Sequence, residues 1–169
     1  VGFKNGTGGS CQIAIDAMIS ASSPHTFLGI DLDGNASIIH TKGNEACHLV
    51  LRGGSTGENY DKKSVMEAEE KIETSGLNPS IIIDCSHANS NKDHKKQPLV
   101  FDNVMQQKLE GNKSIKGVML ESHLNEGNQP LNNPKSLKYG ISITDACINW
   151  QTTSDLIFKA QKNIIQINK

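Results

Sequence analysis

The chain has 169 residues, 36% of them apolar, with 17 Lys and Arg against 18 Asp and Glu for a formal charge of -1. That length suits one domain with a real core, and the balance argues against a global basic field for nucleic acid and against an acidic disordered tail. No run reaches the ~18 apolar residues that span a bilayer. Cys11, Cys47, Cys85 and Cys147 are too scattered for a disulfide frame, so free thiols in a reducing cytoplasm are expected.

The chain enters at Val1 on what reads as the end of a strand, VGFKNGT (1–7), so a preceding segment in the gene product is expected. CQIAIDAMISAS (11–22) sets Ile13, Ile15, Ala17, Met18 and Ala21 at helical spacing. HTFLGIDLDGNASIIHT (25–41) predicts two short strands, 27–32 and 36–40, around DGN, where Gly34 and Asn35 tolerate positive φ. This hairpin, about 26–41, reads as an insertion in a parallel sheet: an interface or regulatory element, or a plain surface elaboration.

The strand-and-helix rhythm resumes with CHLVLRGG (47–54). A helix follows in DKKSVMEAEEKIETSG (61–76), capped by Asp61 and stopped by Gly76. SIIIDCSHANS (80–90) predicts the next strand, and PLVFDNVMQQKLEG (98–111) the next helix, with Leu99, Val100, Val104, Met105 and Leu109 at helical spacing. KGVMLESH (116–123) is the last strand, and TSDLIFKAQKNIIQI (153–167) an amphipathic helix with Asp155 in its first turn. Alternating elements with strands apolar throughout predict an α/β fold, parallel and joined by right-handed crossovers. Four strands make an open doubly wound sheet or half of a (β/α)8 barrel, since a complete barrel takes about 250 residues. No nucleotide-binding glycine motif follows the first strand, and GTGG is only a glycine-rich loop.

In such folds chemistry gathers at the carboxyl ends of the strands, and the four strands deliver Lys4, Arg52, His87 and Glu121 there, with Asp145 in the loop GISITDAC. Lys4 and Arg52, beside glycine loops, suit an anion such as phosphate or carboxylate; exposed ion pairs are the plainer reading. His87, Glu121 and Asp145 offer one nitrogen and two oxygens, a set for Mn²⁺, Fe²⁺, Co²⁺ or Zn²⁺, and a hydrogen-bond network is an equal reading. Cys85 lies two residues from His87 on the predicted strand and so shares its face, as an extra soft ligand or, more simply, as core. Asp84 and Ser86 are then expected to point away. Lys92, His94, Lys95 and Lys96 open the next helix, where solvation is the simpler expectation.

Together VGFKNGT, HLVLRGG, DCSHANSNK, GVMLESHLNEGNQ and YGISITDACINW resemble the second half of the class I 3-deoxy-D-arabino-heptulosonate 7-phosphate (DAHP) synthases, in order and over essentially the whole chain. The resemblance implies residues 1–169 as the C-terminal half of one (β/α)8 TIM barrel, strands 5 to 8. It implies condensation of phosphoenolpyruvate with erythrose 4-phosphate, the opening step of the shikimate pathway, in a cytoplasmic homo-oligomer. Its catalytic positions would be Lys4, Arg52 and His87, with Lys4 and Arg52 on phosphoenolpyruvate and His87, Glu121 and Asp145 on a divalent metal. Phe27, Gly29, Ile30 and Ile39 would line a site for an aromatic amino acid effector. Gly29, where phenylalanine-sensitive relatives carry Ser, favours tyrosine. The family's first-strand cysteine ligand and its Lys-Pro-Arg-Thr loop have no counterpart in these 169 residues, so the chain alone is expected to be inactive. The alternatives are a self-associating half-barrel that at most binds ligand, a 3-deoxy-octulosonate 8-phosphate synthase, and a zinc-dependent aldolase.

Overall fold

The computed structural model describes residues 1–167; the last two residues of the expected 1–169 domain lie outside the described residues. In chain order the elements are β1 (Gly2–Lys4), α1 (Gln12–Ser22), β2 (His25–Ile30), β3 (Ala36–Thr41), β4 (His48–Leu51) and α2 (Lys62–Thr74). After them come β5 (Ile81–Asp84), α3 (Gln97–Leu109), β6 (Ile115–Met119), β7 (Ser122–His123), β8 (Ile148–Asn149) and α4 (Trp150–Ile167).

β1, β4, β5 and β6 form one parallel sheet in that spatial order, which is also their order in the chain. Leu49, Leu51, Ile81, Ile83 and Ile115 join one core with Ile15 and Met18 of α1, Val65 and Ile72 of α2, Val100 and Val104 of α3, and Leu156 of α4. Val50 is buried but stands outside that core. Side chains alternate along a strand, so the register Lys4↔Val50 and Val50↔Ile82 places Lys4, Val50 and Ile82 on the face turned away from the helices. Asp84, two residues past Ile82, shares that face. A doubly wound sheet carries helices on both faces and reverses its strand order. Here the helices share one core and the order is sequential.

Local chemistry explains the boundaries and corrects several expectations. Asp61 caps α2 by accepting from the amides of Lys63 (3.0 Å) and Ser64 (3.1 Å), as read from the sequence. α4 starts before its expected position: Asn149 Oδ1 accepts from Thr152 N (2.8 Å) as the cap. Asp155 therefore lies beyond the first turn, paired with Gln151 (2.9 Å). α1 buries Ala14, Ile15 and Met18 while Ile13 is exposed, and α3 buries Val100, Phe101 and Val104 while Leu99 is exposed. A single period reading takes both flanks of an apolar stripe, and only one of them meets the sheet. The run 116–123 is not one strand: it breaks at Leu120 and Glu121, and β7 then pairs with β8.

The hairpin forms, but β2 and β3 make a sheet of their own rather than an insertion in the parallel one. Its first strand ends at Ile30, because Asp31 closes the turn with Oδ1 accepting from Asp33 N (3.0 Å) and Asn35 N (2.9 Å). Only Gly34 there has positive φ (84°); Asn35 does not.

Candidate metal centre

Four chain segments converge at the carboxyl ends of β1, β4, β5 and β6. Lys4 closes β1, and its ammonium donates to Asp84 Oδ2 at the end of β5 (2.7 Å). His87 follows β5 by three residues and opens the one-turn 3-10 helix His87–Ser90. Its φ is 52°, in the left-handed region that a non-glycine residue enters only at a cost of about 1–2 kcal/mol. That turn folds the ring back over the strand end, where Nδ1 lies 2.9 Å from Asp84 Oδ2. The contact is poorly aligned for a hydrogen bond, and Nδ1 has no better partner among the described residues.

On the other side of the ring, Nε2 lies 3.7 Å from Glu121 Oε1 and 3.8 Å from Asp145 Oδ2. These separations are too long for hydrogen bonds. They match ligands that share one ion, since two donors each about 2.1 Å from a metal lie at most about 4.2 Å apart. One ligand atom from each of His87, Glu121 and Asp145 lies within 4.8 Å of the others. One nitrogen and two carboxylate oxygens are donors that a divalent transition metal accepts.

The three are held very differently. Glu121 is clamped by Gln97, which is fully buried: Gln97 Oε1 accepts from Glu121 N (2.8 Å) and Gln97 Nε2 donates to Glu121 O (3.1 Å). Its second carboxylate oxygen accepts from Ser86 Oγ (2.7 Å). Asp145 has a side chain 69% exposed, on a loop tied back by Cys147 and Gly127 through paired backbone hydrogen bonds. A cavity of ≈ 50 Å³ opens between them, lined by Ser86, His87, Lys92, Glu121, Asp145 and Ala146. A water fills about 30 Å³.

Arg52 reaches the same rim through its backbone. Its amide donates to Asn5 Oδ1 (2.8 Å), and its carbonyl accepts from Ala88 N (3.1 Å). Its guanidinium forms no ion pair among the described residues. Gly53 beside it has φ 70°, and a Cβ there would lie 2.9 Å from the backbone of Ala88 and Asn89. The β4 and β5 loops approach this closely only because that atom is missing.

Sequence reading missed Asp84 and Ser86, which point into the site rather than away, and it underrated Lys92. Cys85 is fully buried and joins the hydrophobic core, and burial, reinforced by the Asp84 carboxylate, pushes its thiol up to about 12. It does not share a strand face with His87, because His87 has left the strand.

The effector candidates fall on two faces. Phe27 pairs with Ile39, and a Cβ at Gly29 would meet Ile39 Cγ1 (2.8 Å) and Phe27 Cε2 (3.4 Å), so these three meet on one face. Ile30, one residue on from Gly29, projects from the opposite face, where Leu28 and Ile38 are also exposed.

Comparison with known proteins agrees with this architecture. The profile of the DAHP synthetase I family matches residues 1–157. The chain belongs to the DAHP synthetase I family. It is 47% identical over 165 residues to the Tyr-sensitive phospho-2-dehydro-3-deoxyheptonate aldolase of Salmonella typhimurium, covering 97% of this chain and 46% of that one. The tyrosine-inhibited aldolase of Schizosaccharomyces pombe is 47% identical over 161 residues, covering 93% and 43%. The solved aldolase of Francisella tularensis superposes with a TM-score of 0.89 at 40% identity, over 99% of this chain and 48% of that one. The chain thus spans about half the length of these relatives, and 77% of an Enterobacter agglomerans relative that is 48% identical. Among the described residues no helix is long and apolar enough to cross a membrane.

Proposed function

We propose that this chain supplies the metal and phosphoenolpyruvate residues of a DAHP synthase, which joins C3 of phosphoenolpyruvate to the aldehyde of erythrose 4-phosphate, with water adding at C2 and phosphate leaving. The observation that carries the reading is the approach of Glu121 and Asp145 to His87 Nε2 at metal-sharing distances, with Lys4 alongside, in a chain of this family. A divalent metal held there, Mn, Fe, Co or Zn, supplies Lewis-acid polarisation of the aldehyde carbonyl. Lys4 and Arg52 bind the anionic phosphoenolpyruvate and hold it for attack from its C3; Arg52, which forms no ion pair among the described residues, is open to a bidentate contact. Both cations also stabilise the charge that gathers on the departing phosphate.

The sequential sheet with one helical face supports strands 5 to 8 of a (β/α)8 barrel, as part of a single domain, with Lys4, Val50 and Asp84 facing its interior. The Tyr-sensitive and tyrosine-inhibited names of two relatives support tyrosine as effector, on the hairpin face of Phe27, Gly29 and Ile39. The hairpin's exposed Leu28, Ile30 and Ile38 support homo-oligomer contacts, and four buried free cysteines suit the cytoplasm.

The test is turnover with Mn²⁺, phosphoenolpyruvate and erythrose 4-phosphate. DAHP and phosphate are expected from a protein that includes the rest of the relatives' length, and none from the 169 residues alone. Preference for arabinose 5-phosphate, or metal-dependent phosphate release by the isolated chain, would contradict the reading.

A further inference from the structure

One carboxylate oxygen serves two functional side chains. Asp84 Oδ2 receives the Lys4 ammonium at 2.7 Å and faces His87 Nδ1 at 2.9 Å. Asp84 is 2% exposed, so its charge is compensated by these partners and not by water. Its freedom is small. Oδ1 accepts from Ser86 N (3.0 Å), its main-chain carbonyl accepts from Asn89 Nδ2 (2.9 Å), and β5 is paired on both sides. The same residue thus stands behind the nitrogen of His87 that faces away from Glu121 and Asp145, and behind the cation proposed for the anionic substrate.

We propose that Asp84 is a positioning residue that couples the metal centre to the anion site. A buried carboxylate behind Nδ1 holds the imidazole by charge and close contact with Nε2 toward Glu121 and Asp145. Lys4 draws on the same oxygen, so whatever engages Lys4 changes the share of negative charge left to His87. An anion arriving at Lys4 is felt at the metal through this one atom, without movement of the sheet. The inference rests on the metal reading of His87, Glu121 and Asp145.

A double-mutant cycle on Mn²⁺ affinity, measured by titration calorimetry with folding checked by circular dichroism, tests it. Asp84→Asn is expected to weaken Mn²⁺ binding about tenfold or more. Lys4→Gln, although Lys4 is no ligand, is expected to tighten it about threefold, and that gain is expected to vanish in the Asp84→Asn background. A gain that persists there shows through-space repulsion and overturns the coupling. Wild-type Mn²⁺ affinity in both single variants overturns the inference while leaving the metal site intact. A wild-type protein that binds no Mn²⁺ overturns the metal reading and this inference together. Should Asp84→Asn fail to fold, Asp84→Glu supplies the second background, and an unchanged affinity in Lys4→Gln by itself refutes the link.

Discussion

The rim at the ends of β5 and β6 and the β2–β3 hairpin are built from similar raw material and end in opposite states. At the rim, polar side chains are drawn in and cross-linked: buried Asp84 by Lys4 and Ser86, half-buried Glu121 by Gln97 and Ser86. On the hairpin, Leu28, Ile30 and Ile38 are apolar yet more than 60% exposed, and an outside tie is a ring nitrogen of His25 on Ser20 O at the end of α1 (2.7 Å). A chemical site needs donors fixed in place before a ligand arrives, and the sheet together with the helix packed behind it fixes them. A two-stranded ribbon cannot bury a face by itself, so its apolar side chains are left for something else to cover.

Substitutions can break or sharpen this contrast, and the largest effects belong to the rim. Glu121→Ala is expected to weaken Mn²⁺ binding on the order of 100-fold, because a preset ligand is lost. Asp145→Ala is expected to cost nearer tenfold, since that carboxylate is not held in advance; calorimetric titration of both separates them, and an inverted order would break the account. Gly53→Ala forces a Cβ into the β5 loop at a positive φ, and is expected to cost about 2 kcal/mol or more, seen as a fall in Tm of roughly 4–8 °C.

Removing the helix cap is milder. Asp61→Ala is expected to cost about 1 kcal/mol in a urea titration. Partial burial works to raise the Asp61 carboxyl, but hydrogen bonds from the Ser64 hydroxyl and from the Ser64 and Lys63 amides outweigh it and hold the carboxyl below its ordinary value. A carboxyl depressed in the folded state stabilises the fold above its unfolded pKa. The Asp61 contribution is therefore complete at neutral pH and is lost as pH falls from the ordinary aspartate range through the depressed value. The difference between wild type and Asp61→Ala should shrink over that acid range and nowhere else. Smallest of all, Leu28→Ser on the hairpin is expected to change stability by no more than ~0.5 kcal/mol and to leave Mn²⁺ affinity as it was.

The same contrast explains what could be read from the residues. Continuous apolar runs such as Leu49 to Leu51 and Ile81 to Ile83 mark strands because burial on both faces leaves no polar alternation to confuse them. The ends of those runs then placed Lys4, Arg52, His87 and Glu121 at one rim, and DGN marked the hairpin. Asp84 escaped because parity was counted from Cys85 to His87 as though both lay on the strand. The left-handed φ at His87 breaks that count, and it arises from tertiary packing that no periodicity records. Lys92 escaped for the same reason, with its own φ of 60° in the loop that turns it toward the cavity. The early start of α4 at Trp150 depends on a cap from Asn149, the last residue of β8, whose place its pairing with β7 sets, which again is a long-range fact.

The central claim is that His87, Glu121 and Asp145 form one metal centre, and the most direct measurement is the Mn²⁺ stoichiometry of the purified protein by electron paramagnetic resonance, for wild type and His87→Ala. One bound Mn²⁺ per wild-type chain, absent from a folded His87→Ala variant, is the predicted result. No bound Mn²⁺ in the wild type, or the same stoichiometry in His87→Ala, would contradict it.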